Sequence, residues 1–173
     1  EEALERTLAE IIRRHEALRT VFRMEDRVPI QVVVPATGFR LPVVDLTSLP
    51  EAEREGLRIV ELDANRPFDL SAGPLVRALL LRVAKDERLL AVVTHHIVSD
   101  AWSLGILLRE LGEIFTAFAA EKPSPLPELP VQYPDYARWQ RQWLSGEVLE
   151  RGVAHWRRVL AGAPESLDLP YDR

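Results

Sequence analysis

Leu4, Leu8, Ile11, His15 and Leu18 recur at alternating spacings of four and three. That spacing gathers them on one face of an amphipathic helix over residues 1 to about 20. From Thr20 the pattern turns β-like, Pro29 to Pro35 reads as a strand bounded by prolines, and another strand is expected near Arg40 to Val44. The three together suggest a short β meander. Ser48 is positioned to cap a helix that starts near Leu49 and runs through Ala52, Leu57, Val60 and Leu62, stopping before Pro67. Asn65 to Pro74 is a loop by its turn residues.

Leu75 to Val83 alternates, with Leu75, Arg77, Leu79, Leu81 and Val83 on one face and Val76, Ala78, Leu80 and Arg82 on the other. A polar link at Lys85-Asp86-Glu87 leads into the apolar run from Leu89, a strand expected to be buried on both faces and ending at His95 and His96. Ser99 or Asp100 can cap the next helix. Its Leu104, Leu107, Leu108, Leu111, Ile114, Phe115 and Phe118 form a core-facing stripe. A proline-rich crossover from Glu121 to Pro130 follows, then helical patterning from Tyr133 to Leu160 with a break at Gly146. Trp139, Trp143 and Trp156 are read as packing residues, and His15 as a hydrogen-bonded structural histidine.

The 173 residues fit one domain, and a chain of this size buries roughly 70% of its unfolded surface. A net charge of −5 leaves no electrostatic footprint for nucleic acid. With no cysteine there is no disulfide, thiol nucleophile or thiolate metal site, which fits a reducing cytoplasm. Apolar runs such as Leu89 to Val93 are far shorter than the roughly 20 residues a membrane helix needs. The chain opens on Glu1 directly in helical pattern, as a piece of a longer protein would.

The chemistry concentrates in Thr94 to Ser103, where a buried strand meets a helix start. Neighbouring strand residues point to opposite faces, so His95 and His96 do not both address one small substrate, and one of them is structural. An imidazole can serve as general base, or both can be hydrogen-bonded core residues. Asp100 either caps the helix or pairs with an arginine, Arg77 and Arg19 being the two at hand. The four histidines come with no HExxH spacing or carboxylate cluster, so no metal site is expected. Ala101-Trp102-Ser103-Leu104-Gly105 approximates a nucleophile elbow, with Asp135 and His155 following in hydrolase order. An elbow serine directly follows its strand, however, whereas Ser103 falls in the first turn of a helix. Ser103 is therefore a first-turn polar residue or a hydrogen-bond donor near a substrate.

His95-His96-Ile97-Val98-Ser99-Asp100 resembles the HHxxxDG motif of nonribosomal peptide synthetase condensation domains, members of the chloramphenicol acetyltransferase-like superfamily. Arg14 to Phe22 is similar to that family's RHExLRTxF segment, and Tyr133 to Trp139 to its YxDYAxW segment. The fold implied is an α/β sandwich lobe, a mixed sheet flanked by helices. Residues 1–173 would form the amino-terminal lobe of a two-lobed domain, without the family's opening motif and carboxy-terminal lobe.

The activity implied is acyl transfer: an amide bond forms between a donor aminoacyl or peptidyl thioester and the amine of an acceptor aminoacyl thioester. Both are held on phosphopantetheine arms of carrier proteins, and the domain binds no cofactor of its own. Donor and acceptor peptidyl carriers, an adjacent adenylation domain and the second lobe are the implied partners, with no nucleic acid and no membrane. Such cytoplasmic assembly lines make antibiotics and siderophores. Carried over, His96 faces the substrate and accepts or orients the proton of the attacking amine, His95 supports the turn, and Asp100 points away into a salt bridge. The family's glycine is Ala101 here; its N–H remains, and it costs little if φ is negative. Trp102 to Gly105 matches condensation domains for L-configured donors better than epimerisation domains. A noncatalytic recruitment module of the same fold typically has a degraded motif, unlike the intact His95, His96 and Asp100, and heterocyclisation domains replace the histidines with aspartate. Coenzyme A acyltransferases of the superfamily share HxxxD and differ in carrier dependence. The isolated lobe is expected to bind carriers weakly and catalyse poorly.

Overall fold

The computed structural model describes residues 1–164 and Ser166. Residues 1–134 form one compact unit and the described residues from Asp135 a second.

In the first unit, α1 (Glu2–Arg14) ends at His15 and gives way to a single 3-10 turn, Glu16–Arg19, so the expected helix stops short of residue 20. Strands β1 (Thr20–Glu25) and β2 (Val28–Val33) form an antiparallel hairpin. Its two turn residues, Asp26 and Arg27, have φ of 47° and 65°, the left-handed pair that a tight hairpin requires. Strand β3 (Val43–Asp45) does not extend this hairpin into a meander. It pairs in parallel with β4 (Val76–Arg82), which in turn pairs antiparallel with β5 (Arg88–Thr94). Helix α2 (Ala52–Ala64) connects β3 to β4 and starts after Glu51, so Ser48 does not cap it. Helix α3 is Ala101–Ala119.

The alternation along β4 builds three layers. Val76, Ala78 and Leu80 point to one face, where they pack with Leu8 and Ile11 of α1 and Ile114 of α3. Leu81 points to the other and meets Leu46 and Ala52, with Ile59 and Val60 of α2 against them. β4 is thus the strand buried on both faces. The more uniformly apolar β5 lies at the edge of the sheet and is only half-buried, Val92 being 40% exposed. The expected stripe on α3 also splits: Leu107, Leu111, Ile114 and Phe118 face the core, while Leu104, Leu108 and Phe115 are exposed.

The hairpin is fastened to the sheet by the loop before β4. Phe22 N–H donates to Leu70 O at 2.8 Å, and Gly73 lies so close to Val21 that a Cβ would stand 2.9 Å from Val21 Cγ1. Gly73 also has φ of +65°, so a side chain there is opposed by both space and backbone.

In the second unit, Trp139 and Trp143 of α4 (Tyr133–Trp143) stack with centroids 5.6 Å apart. Helix α5 (Gly146–Val159) follows the Gly146 break and carries Trp156. The three tryptophans read as packing residues remain 53–59% exposed, with Trp139 and Trp143 packed on each other. Among the described residues no helix is long and apolar enough to cross a membrane.

One polar contact lies inside the first core. Glu110, on the buried face of α3, accepts from Arg14 Nε at 3.2 Å, and His15 Nε2 lies 2.9 Å from the same oxygen. Burial acts to raise the Glu110 pKa, but the hydrogen bonds from Arg14 and His15 outweigh it and hold the carboxyl below 4.5. A carboxyl depressed in the fold stabilises it above the ordinary glutamate range, and that contribution fades as pH falls through the folded value. Glu110→Ala leaves the Arg14 charge buried and unpaired, so we expect a loss of roughly 3–5 kcal/mol in urea unfolding. The pair replacement Arg14→Met with Glu110→Leu is expected to cost much less and to weaken the acid dependence; equal losses would contradict the pairing.

Candidate functional site

His95 and His96 leave β5 at a tight turn, and the turn gives them different tasks. His95 N–H continues the sheet ladder to Leu75 O at 3.0 Å, and its carbonyl accepts from Val98 N–H at 3.1 Å. Its ring is also engaged: Nδ1 accepts from Ile97 N–H at 3.0 Å, and it meets Phe68 in a T-shaped contact with centroids 5.9 Å apart. Ser99 Oγ lies 2.6 Å from Thr94 Oγ1 and closes the turn from its far side. His96 is exposed, and its ring makes no hydrogen bond among the described residues.

Asp100 is the N-cap of α3. Its Oδ1 accepts from Ser103 N–H at 2.8 Å, while Ser103 Oγ accepts from Asp100 N–H at 2.7 Å. Ser103 Oγ also donates to Asp100 O at 2.9 Å, so its hydroxyl is committed to the helix start rather than poised as an elbow nucleophile. Ala101 is the first helical residue and is not among the positive-φ positions, so its Cβ meets no left-handed strain. The Ser103 N–H and then its hydroxyl hold the Asp100 carboxyl below 3.8 against slight desolvation, and positive charge on His96 acts in the same direction.

The arginines proposed from sequence for Asp100 are used elsewhere. Arg77 faces α2, where its guanidinium donates to Asp63 O at 2.7 Å and Arg66 O at 2.9 Å and lies 3.4 Å from Asp63 Oδ2. It thereby adds hydrogen bonds to carbonyls at a helix end and lies 3.7 Å over the Phe68 ring that also meets His95. Arg19 donates to Val34 O at 2.8 Å and to Glu16 Oε1 at 3.1 Å. Both line a hollow of about 660 Å³ that contains neither histidine. Among the described residues no arginine forms a salt bridge to Asp100, whose Oδ1 is bonded within the helix cap instead.

His96 instead opens onto a separate pocket of about 290 Å³. Ser99, Asp100 and Ser103 form one side, Ala17, Thr20 and Phe22 another, and Gln31 of β2 and Tyr133 complete it. The Arg14-to-Phe22 segment builds this wall through successive ties. Gln132 Nε2 donates to Arg14 O at 2.8 Å, Gln132 Oε1 accepts from Glu16 N–H at 3.1 Å, and Thr20 Oγ1 donates to Glu16 O at 2.8 Å. Ala17, Thr20, Phe22 and Tyr133 lie within segments that the sequence marks as family-like without giving them a role, whereas Gln31 has no sequence signal. His15 lies on Glu110 and not in this pocket. Among the described residues no group of three or more histidine, aspartate or glutamate side chains is arranged to hold a metal ion.

The mixed sheet flanked by helices is that of the chloramphenicol acetyltransferase-like fold. The family model for the condensation domain matches residues 1–173, and the chain belongs to that family. It is 46% identical over 170 residues to malpinin synthetase of Mortierella alpina, covering 98% of this chain and 2% of that protein. Among solved structures it is similar to the X-domain from teicoplanin biosynthesis, with a TM-score of 0.87, 29% identity, and 99% and 38% of the two chains covered. It is also similar to the epimerisation domain from the third module of tyrocidine synthetase B, with a TM-score of 0.84, 26% identity, and 99% and 40% coverage. The chain therefore spans a small part of the synthetase it matches and about two fifths of these solved chains.

The depressed Asp100 carboxyl has a measurable consequence. The cap requires the carboxylate, so protection of the Ser103 amide is expected to persist well below neutrality and to fall only as pH drops below the ordinary value of 3.8. Amide exchange followed by NMR checks this. Asp100→Ala is expected to remove that protection at every pH, and unchanged exchange in the variant would contradict the capping role.

Proposed function

We propose that residues 1–173 are the amino-terminal lobe of a condensation domain that joins a donor aminoacyl or peptidyl thioester to the amine of an acceptor aminoacyl thioester. The observation that carries this reading is the asymmetry of the adjacent histidines. His95 is held on both sides of its ring, while His96 is exposed to the pocket with no hydrogen-bond partner among the described residues. Family membership supports the reaction class.

In the proposed reaction, the acceptor amine attacks the donor thioester carbonyl, the C–N bond forms, and the C–S bond breaks. The amine loses a proton and the departing thiolate gains one. A ring nitrogen of His96 accepts the hydrogen bond of that N–H, orients the lone pair and helps the proton leave. His95, Asp100 and Ser103 act by holding the turn and helix start that carry His96. Both thioesters arrive on phosphopantetheine arms of donor and acceptor carriers, the adenylation domain loads the acceptor, and the second lobe closes the site. The lobe alone is accordingly proposed to be a poor catalyst, working as part of a cytoplasmic assembly line.

The test is mass spectrometry of the loaded acceptor carrier after incubation with loaded donor carrier and the complete condensation domain containing this chain. Dipeptidyl acceptor is expected with His96 intact, and His96→Ala should slow its formation by about 10²-fold or more. Absence of product from a folded complete domain would overturn amide formation and favour epimerisation or recruitment. Undiminished product from His96→Ala would remove His96 from the chemistry.

A further inference from the structure

An attacking amine has more hydrogen-bonding needs than one imidazole meets. Its lone pair must face the thioester carbonyl, so its two N–H groups need two acceptors, of which His96 is one. The polar groups around the pocket can be accounted for individually. Thr20 Oγ1 donates to Glu16 O, Ser99 Oγ is paired with Thr94, and Asp100 and Ser103 are mutually bonded in the helix cap. Tyr133 already has an interaction within the fold. Gln31 is different: it lies on β2 opposite Phe22, lines the same pocket as His96, and has no hydrogen-bond partner for its side chain among the described residues.

A glutamine is also the appropriate kind of acceptor. A carboxylate beside the amine would favour the ammonium form, which has no lone pair with which to attack. A carboxamide oxygen accepts an N–H without carrying charge. Asp100, the carboxylate in the pocket wall, is diverted into the helix cap.

We propose that Gln31 is a substrate-positioning residue whose side-chain oxygen accepts the second N–H of the acceptor amine, opposite His96. This rests on the amide-forming reading above. It makes the pocket selective for an uncharged primary amine presented between one imidazole and one carboxamide. It also gives the β1–β2 hairpin a direct part in holding the acceptor, while the donor thioester does not depend on Gln31.

The test uses the complete condensation domain containing this chain, with the acceptor and donor carriers varied separately. Gln31→Ala is expected to raise the acceptor KM roughly fivefold, the effect of losing about one hydrogen bond, with the donor KM within about twofold. Gln31→Glu retains the shape but adds charge, and should move the acidic limb of kcat at saturating acceptor, which reports the bound amine, to higher pH. Equal changes in the two KM values, or two variants indistinguishable from the parent, would overturn the assignment while amide formation stands. Failure of the unmodified folded domain to form any amide would overturn the proposed function and this inference with it.

Discussion

A carboxylate placed inside a protein is tolerable only where hydrogen bonds replace its lost water, and Glu110 depends on Arg14 and His15 for them. The arrangement fixes the end of α1 against the middle of α3. Arg14 also donates to Pro127 O at 2.8 Å, binding the crossover that leads to Gln132. From there Gln132 returns to the backbone of Arg14 and Glu16. The residues between the end of α1 and β1 are consequently held from three directions, and they form one wall of the His96 pocket. A polar contact outside the pocket thus helps hold the segment that forms one of its walls.

The opposite wall depends on local bonds. Thr94 with Ser99, His95 with Ile97, and Asp100 with Ser103 close a compact turn between the edge strand and α3. These bonds engage the hydroxyl, carboxylate and imidazole groups from Thr94 to Ser103, His96 excepted. The turn therefore isolates one imidazole by satisfying its neighbours. Arg77 reinforces the same turn indirectly: it caps α2, stacks on Phe68, and Phe68 makes a T-shaped contact with His95.

The chain belongs to the condensation-domain family, and its family-like segments supply these two walls. Arg14 to Phe22 carries the distant wall, Thr94 to Ser103 carries the histidine, and Tyr133 reaches the pocket from the end of the crossover. The three family-like segments are far apart in the chain and meet around one hollow. Their shared purpose is spatial, and the fold that brings them together is also that of the X-domain and the epimerisation domain.

The sequence by itself determined whatever depends on residues within about four positions of one another. The faces of α1 and the β4–β5 hairpin follow from periodicity and turn residues, while for the cap of α3 the sequence left Ser99 and Asp100 both open, and β5 ends at Thr94, so the turn and not strand alternation places His95 and His96. The tertiary structure decided what depends on which distant element lies opposite. β3 joined β4 rather than β2, β5 became an edge strand despite its apolar run, and part of the α3 stripe stayed exposed. Arg77 went to the end of α2, Glu110 was buried in an otherwise apolar helix face, and Gln31 came to share a pocket with His96. Periodicity specifies which face of an element is apolar; only packing specifies what covers that face and which polar groups are brought together beside it.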